Sequence, residues 1–178
     1  FKEIEYIPAL LNIFNEILVN ARDQIVRLQG MKNQENIIQV SHIKINFNDD
    51  GSISILNDGD GIVIKEHEKE KIYIPQLIFG ELLTSSNYKK DEKRIVGGKN
   101  GYGAKLANIF SQTFTIETVD HINGLKYTQT WEKNMTICNK PVIKKCSAKP
   151  YTKITWKCDF SRFGLEKYSD DMINLMYR

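Results

Sequence analysis

Gly97-Gly98-Lys99-Asn100-Gly101-Tyr102-Gly103-Ala104-Lys105 runs directly into Leu106-Ala107-Asn108-Ile109-Phe110, a glycine-rich loop opening an apolar helical pattern. Glycines let main-chain N–H groups come close to phosphates, and a following helix start adds partial positive charge. The loop is not a P-loop: Gly98 and Gly103 have the spacing, but Ala104 stands where Lys-Ser/Thr should follow. Nor is it a dinucleotide fingerprint, because Gly101-Tyr102-Gly103 leads to Leu106 instead of a third glycine. Its meaning comes from two segments upstream.

The first is the best helix in the chain, Leu10 to Leu28. Leu10, Phe14, Ile17, Leu18, Ala21, Ile25 and Leu28 recur at helical spacing. Pro8 suits its entry and Gly30 its end. Glu16, Asn20, Asp23 and Arg27 follow at steps of four, three and four and so share another face. Such a stripe is also the ordinary solvent face of an amphipathic helix. The chemistry it offers is specific, however. A carboxylate can act as general base toward a water aligned on a γ-phosphate, and an amide oxygen one turn away suits magnesium.

The second is Asn57-Asp58-Gly59-Asp60-Gly61, a tight acidic turn leaving a strand. Either Asn57 or Asp58 can hydrogen-bond a base edge there, while the glycines let main chain pass close to a ligand. Taken together, the three segments read as a site for nucleotide binding and phosphoanhydride hydrolysis.

The remaining elements are predicted from pattern. Ile43 to Phe47 and Ile53 to Ile55 alternate with period two around the turn Asp49-Asp50-Gly51. Ile74 to Leu83 is partly helical, with Pro75 in its first turn. Thr84 to Lys93 is a polar loop or lid. Strands follow at Phe114 to Val119, Leu125 to Trp131 and Ile154 to Lys157, the first two joined at Asn123-Gly124. Gly164 to Tyr177 reads as a closing helix. The expected fold is α+β, with helices packed on one face of a mostly antiparallel sheet.

With 178 residues, 41% apolar and 26% charged, the chain holds one globular core without repeats or an internal boundary. No stretch has the length of a membrane span, and the first residues do not form a signal peptide. Cys138, Cys146 and Cys158 lack metal-ligand spacing and read as reduced thiols. Residues 120–157 carry eight lysines against two acids, a surface for nucleic acid or simply a solvated sheet face.

Four strings carry a family resemblance: Glu16-Ile17-Leu18-Val19-Asn20-Ala21-Arg22-Asp23, Asn57 to Ile62, Leu83-Thr84-Ser85-Ser86-Asn87-Tyr88, and Gly97 to Lys105. In this order they resemble the ATP-site motifs of the GHKL (Bergerat-fold) superfamily. The last two strings resemble more narrowly the ATPase domain of eukaryotic-type type II DNA topoisomerases. GHKL chaperones and mismatch-repair ATPases, the alternative, would share the pocket but not those strings. The resemblance implies a two-layer Bergerat fold that binds ATP with Mg²⁺. It casts Glu16 as general base, Asn20 as magnesium ligand and nucleotide contact, and Asn57 as acceptor of the adenine amino group. Ser85, Ser86 and Asn87 become lid contacts to ribose and phosphate. Gly98, Lys99, Asn100, Gly101, Tyr102, Gly103, Ala104 and Lys105 form the phosphate loop, with Lys105 as a charge partner.

Gln24 stands where relatives often carry asparagine, and Val63 where proline commonly follows the turn. The resemblance further implies that residues 1–178 are the ATP-binding domain of a longer enzyme. Its transducer, with a lysine reaching the γ-phosphate, and its DNA-cleavage domain would lie elsewhere. DNA is the implied partner through that enzyme, with a homodimer formed on ATP binding and no membrane. The implied location is intracellular and DNA-associated: the nucleus of a cellular eukaryote, or a host-cell compartment for a virus.

Overall fold

The computed structural model describes residues 3–31, 35–81 and 102–178. Helix α1 spans Pro8–Gly30, with Pro8 in the first turn where its missing N–H costs nothing. It buries Leu10, Ile13, Phe14, Ile17, Ala21 and Leu28, while Leu18 and Ile25 of the predicted face are half-buried. The hairpin β1 (Ile43–Phe47) and β2 (Ile53–Asn57) follows. Next come α2 (Ile74–Gly80) and α3 (Gly103–Ile109). The meander comprises β3 (Ser111–Asp120), β4 (Leu125–Glu132), β5 (Ile137–Cys138), β6 (Val142–Lys145) and β7 (Tyr151–Cys158). Helix α4 (Asp170–Met176) closes the chain.

One sheet contains all these strands in the order β1-β2-β7-β3-β4-β5, with β6 also pairing on β4. Every pairing is antiparallel. The last long strand β7 thus sits centrally between β2 and β3, so the two hairpins share one core. β7 alternates strictly: Thr152, Ile154, Trp156 and Cys158 are buried, while Tyr151, Lys153, Thr155 and Lys157 are half-buried on the other face. The inner face packs on the helices, with the Phe14 ring 6.5 Å from Trp156 and 6.1 Å from Phe47. Trp131 and Trp156 are each 1% exposed, and truncating such a side chain usually costs roughly 3–5 kcal/mol.

Several elements depart from the sequence expectation. The closing helix is shorter, because a 3-10 turn at Phe160–Phe163 ends on Gly164 at φ +68°. A new start then follows at Ser169, whose Oγ accepts from Met172 N. Strands β5 and β6 are additional; they are short, mostly exposed and flank Pro141, so they carry little periodic signal. Strand β3 starts three residues earlier than its alternation indicates, across a register shift between Ser111 and Thr113.

Candidate active site

Helix α1, the end of β2 and the start of α3 enclose a pocket of about 500 Å³, within the range of small-molecule sites. Asn20, Ala21, Gln24 and Arg27 line it from α1, Asn57 from β2, Gly61 to Val63 from the turn, and Ala104 from α3. Of the helical stripe, Asn20 and Arg27 line the pocket, whereas Glu16 and Asp23 do not. Asn20 is half-buried, and its Nδ2 is buried without a partner. Asp23 Oδ1 is likewise buried and unbonded, with Arg22 only as near as 3.9 Å.

Glu16 lies one turn before Asn20 and is exposed. Its carboxylate rests on the Cα of Gly103, so closely that any Cβ at 103 would overlap it. Gly103 thereby lets α3 begin against the proposed general base. Among the described residues no cluster of three or more His, Cys, Asp or Glu could hold a metal.

The acidic turn resolves the choice between Asn57 and Asp58. Asn57 is 6% exposed, and its Oδ1 is buried without a partner at the pocket. Asp58 faces the opposite way. It accepts from Ser41 N at 2.8 Å, His42 N at 2.9 Å and Ser41 Oγ, and its Oδ2 pairs with His42 Nδ1 at 2.9 Å. Burial opposes ionisation of Asp58, but these donors prevail and hold its pKa down to about 2. Asp60 accepts from Ile38 N at 3.0 Å and lies 3.7 Å from His121 Nδ1.

Past the turn, the chain is bolted to β3. A Cβ at Gly61 would collide with the Val119 carbonyl, so only glycine lets the two main chains meet there. Ile62 N donates to Thr118 Oγ1 and Ile64 N to Asp120 Oδ2, both at 2.9 Å.

No protein-family model matches the chain. It is 52% identical over 179 residues to DNA topoisomerase 2 of Candida glabrata, covering 99% of this chain and 12% of that protein. Its structure matches the ATPase region of Saccharomyces cerevisiae topoisomerase II with a TM-score of 0.88. That match has 47% identity and covers 99% of this chain and 45% of the other. The chain belongs to the type II DNA topoisomerase family. It spans about 12% of the length of the curated relatives it matches. The 43K ATPase domain of Thermus thermophilus gyrase B, 19% identical with a TM-score of 0.64, covers 92% of this chain and 37% of its own, and shares the fold alone.

Within this topoisomerase fold, the structure gathers Asn20, Asn57 and Ala104 around one pocket, with Glu16 and Gly103 in contact with each other. Tyr102 caps α3, its carbonyl accepting from Leu106 N at 2.8 Å. Lys105 is placed differently from a loop lysine: it is 3% exposed and does not line the pocket. Burial pushes its pKa down, and the Glu81 carboxylate favours its charge. Ser85, Ser86, Asn87, Gly98, Lys99, Asn100 and Gly101 lie outside the described residues. Sequence reasoning missed Thr118, Asp120 and His121. They lie about 60 positions from the turn they hold, and no local pattern connects the two.

Proposed function

We propose that this chain binds ATP in the pocket between α1, β2 and α3 and hydrolyses it. It would do so as the N-terminal ATP-binding gate domain, residues 1–178, of a type II DNA topoisomerase. The observation that carries the reading is the pair of buried, unpartnered amide atoms, Asn20 Nδ2 and Asn57 Oδ1, on facing walls of one pocket. Buried polar atoms normally find partners, and here the missing partner is a ligand.

Asn57 Oδ1 accepts a hydrogen bond from the exocyclic amino group of adenine. Guanine offers an acceptor at that edge, so adenine is the purine matched to this amide as it is oriented here. Glu16 stands at the α3 end, where it orients a water for attack on the γ-phosphate and takes its proton. With its amide flipped, Asn20 would hold Mg²⁺ through its side-chain oxygen, and the ion would supply charge neutralisation at the phosphates. The lid and phosphate-loop residues, Ser85 to Asn87 and Gly98 to Ala104, complete the triphosphate contacts, while Lys105 stays buried away from the pocket.

In the full-length protein, ATP binding closes two protomers around a transported DNA duplex, and product release reopens them. DNA is then the partner, and the site of action is the nucleus of a cellular eukaryote or a viral host compartment. No helix among the described residues is long and apolar enough to cross a membrane.

The test is calorimetric titration with a non-hydrolysable ATP analogue, with and without magnesium, against the guanine analogue. Magnesium-dependent adenine binding is the expected result. A folded protein with no affinity for either analogue would overturn the reading.

A further inference from the structure

Gln24 lines the pocket, yet both ends of its side-chain amide are bound by the protein. Its Nε2 donates to the Asp60 carbonyl at 2.8 Å across 36 residues, and its Oε1 accepts from Arg27 Nε at 3.0 Å. Both ends of the amide are therefore engaged by protein. The other hydrogen bonds to the turn come from β3 and from residues 38–42: Thr118, Asp120, Ile38, Ser41 and His42. Gln24 supplies the bond from α1.

We infer that Gln24 is a positioning residue: it fixes the acidic turn, and with it Asn57, at a set distance from α1 without contacting nucleotide itself. The inference rests on the ATP-site reading. Glu16 and Asn20 stand on α1, whereas Asn57 stands on β2 beside the turn, so the two walls must hold a constant gap for base and phosphates to engage together. An asparagine is shorter by one carbon–carbon bond, about 1.5 Å. It would leave its amide beyond hydrogen-bond range of the Asp60 carbonyl. Loss of the tether lowers the fraction of pockets preorganised for the base, which weakens binding but leaves the hydrolytic groups on α1 intact.

The experiment compares Gln24→Glu, Gln24→Asn and Gln24→Ala in the full chain, measuring the KM for ATP, kcat, ATP-over-GTP preference and thermal midpoint. Gln24→Glu keeps length and an acceptor for Arg27 but loses the donor to Asp60. It should raise KM about threefold to tenfold, the scale of one hydrogen bond, with kcat within about twofold and reduced preference for ATP. Gln24→Asn should match it instead of rescuing it. Tighter binding by Gln24→Asn would show direct nucleotide contact and overturn the inference. Unchanged KM in Gln24→Glu would do the same, as would a fall in kcat equal to the rise in KM. Failure of the underlying ATP-site reading is separate, since the wild type itself would then show no ATP affinity.

Discussion

The acidic turn and the polar stripe of α1 contain the same kinds of side chain, and the fold uses them in opposite ways. At the turn, Asp58 and Asp60 accept hydrogen bonds from main chain and hydroxyl donors and sit against His42 and His121. On the stripe, Glu16 is exposed, while Asn20 Nδ2 and Asp23 Oδ1 are buried without hydrogen bonds. A buried polar atom left unpaired costs about 1–3 kcal/mol, a penalty a bound ligand can remove. The carboxylates of the turn are thus scaffold, whereas the amides Asn20 and Asn57 line the pocket with an unpaired atom each.

The sharpest way to break this contrast is Glu16→Gln. A lost general base should lower ATP turnover by at least about 10²-fold while leaving analogue binding within about twofold. Steady-state ATPase assays of the full-length protein decide it, and equal turnover would return Glu16 to an ordinary solvent-facing residue. Second in size is Asp58→Asn, which tests the scaffold side. The folded pKa of Asp58, about 2, lies below its ordinary 3.8, so the carboxylate stabilises the fold above that ordinary value. The contribution fades as pH falls from about 5 toward 2. Substitution should cost roughly 2 kcal/mol at neutral pH and flatten that acid dependence. Urea titrations from pH 7 to 3 measure both, and an unaltered acid limb would remove Asp58 from its structural role.

The sequence made the long elements legible because their periodicity spans several turns: α1, the first hairpin and β4 lie where alternation or helical spacing places them, and β3 differs chiefly at its start. It also exposed the stripe and the turn as a pair. Two things escaped. Short β5 and β6 have too few residues for a period to register, and the partners of the turn are separated from it by the meander. The choice between Asn57 and Asp58 was open for a related reason. Successive strand residues point to opposite faces, so which of the two meets the pocket depends on where β2 ends. That end is set by Asn57 standing opposite both Ile43 and Thr152.

Third in size is Asn57→Leu, which keeps the volume but removes the free acceptor. Affinity for the ATP analogue should fall about tenfold, and discrimination against the guanine analogue should shrink with it. Competition binding measures both. An Asn57→Leu protein that still prefers adenine would mean that the base is read by another group.

The smallest effect belongs to the opposite face of the sheet, where Glu117 lies 2.7 Å from Lys126 Nζ and 3.6 Å from Lys153 Nζ. Burial raises the Glu117 pKa, but the two lysines outweigh that and hold it below the usual carboxylate value. The pairs are partly solvated, so Glu117→Gln should cost less than about 1 kcal/mol and the loss should shrink further in high salt. Nucleotide affinity should not change, because no residue of this cluster lines the pocket. The same variant also tests the basic segment. Freed from Glu117, Lys126 and Lys153 add positive charge to the outer face, and a DNA-contacting surface would respond with a steeper salt dependence of DNA binding. An unchanged slope in the full-length protein identifies that face as a solvated sheet surface whose lysines keep it soluble.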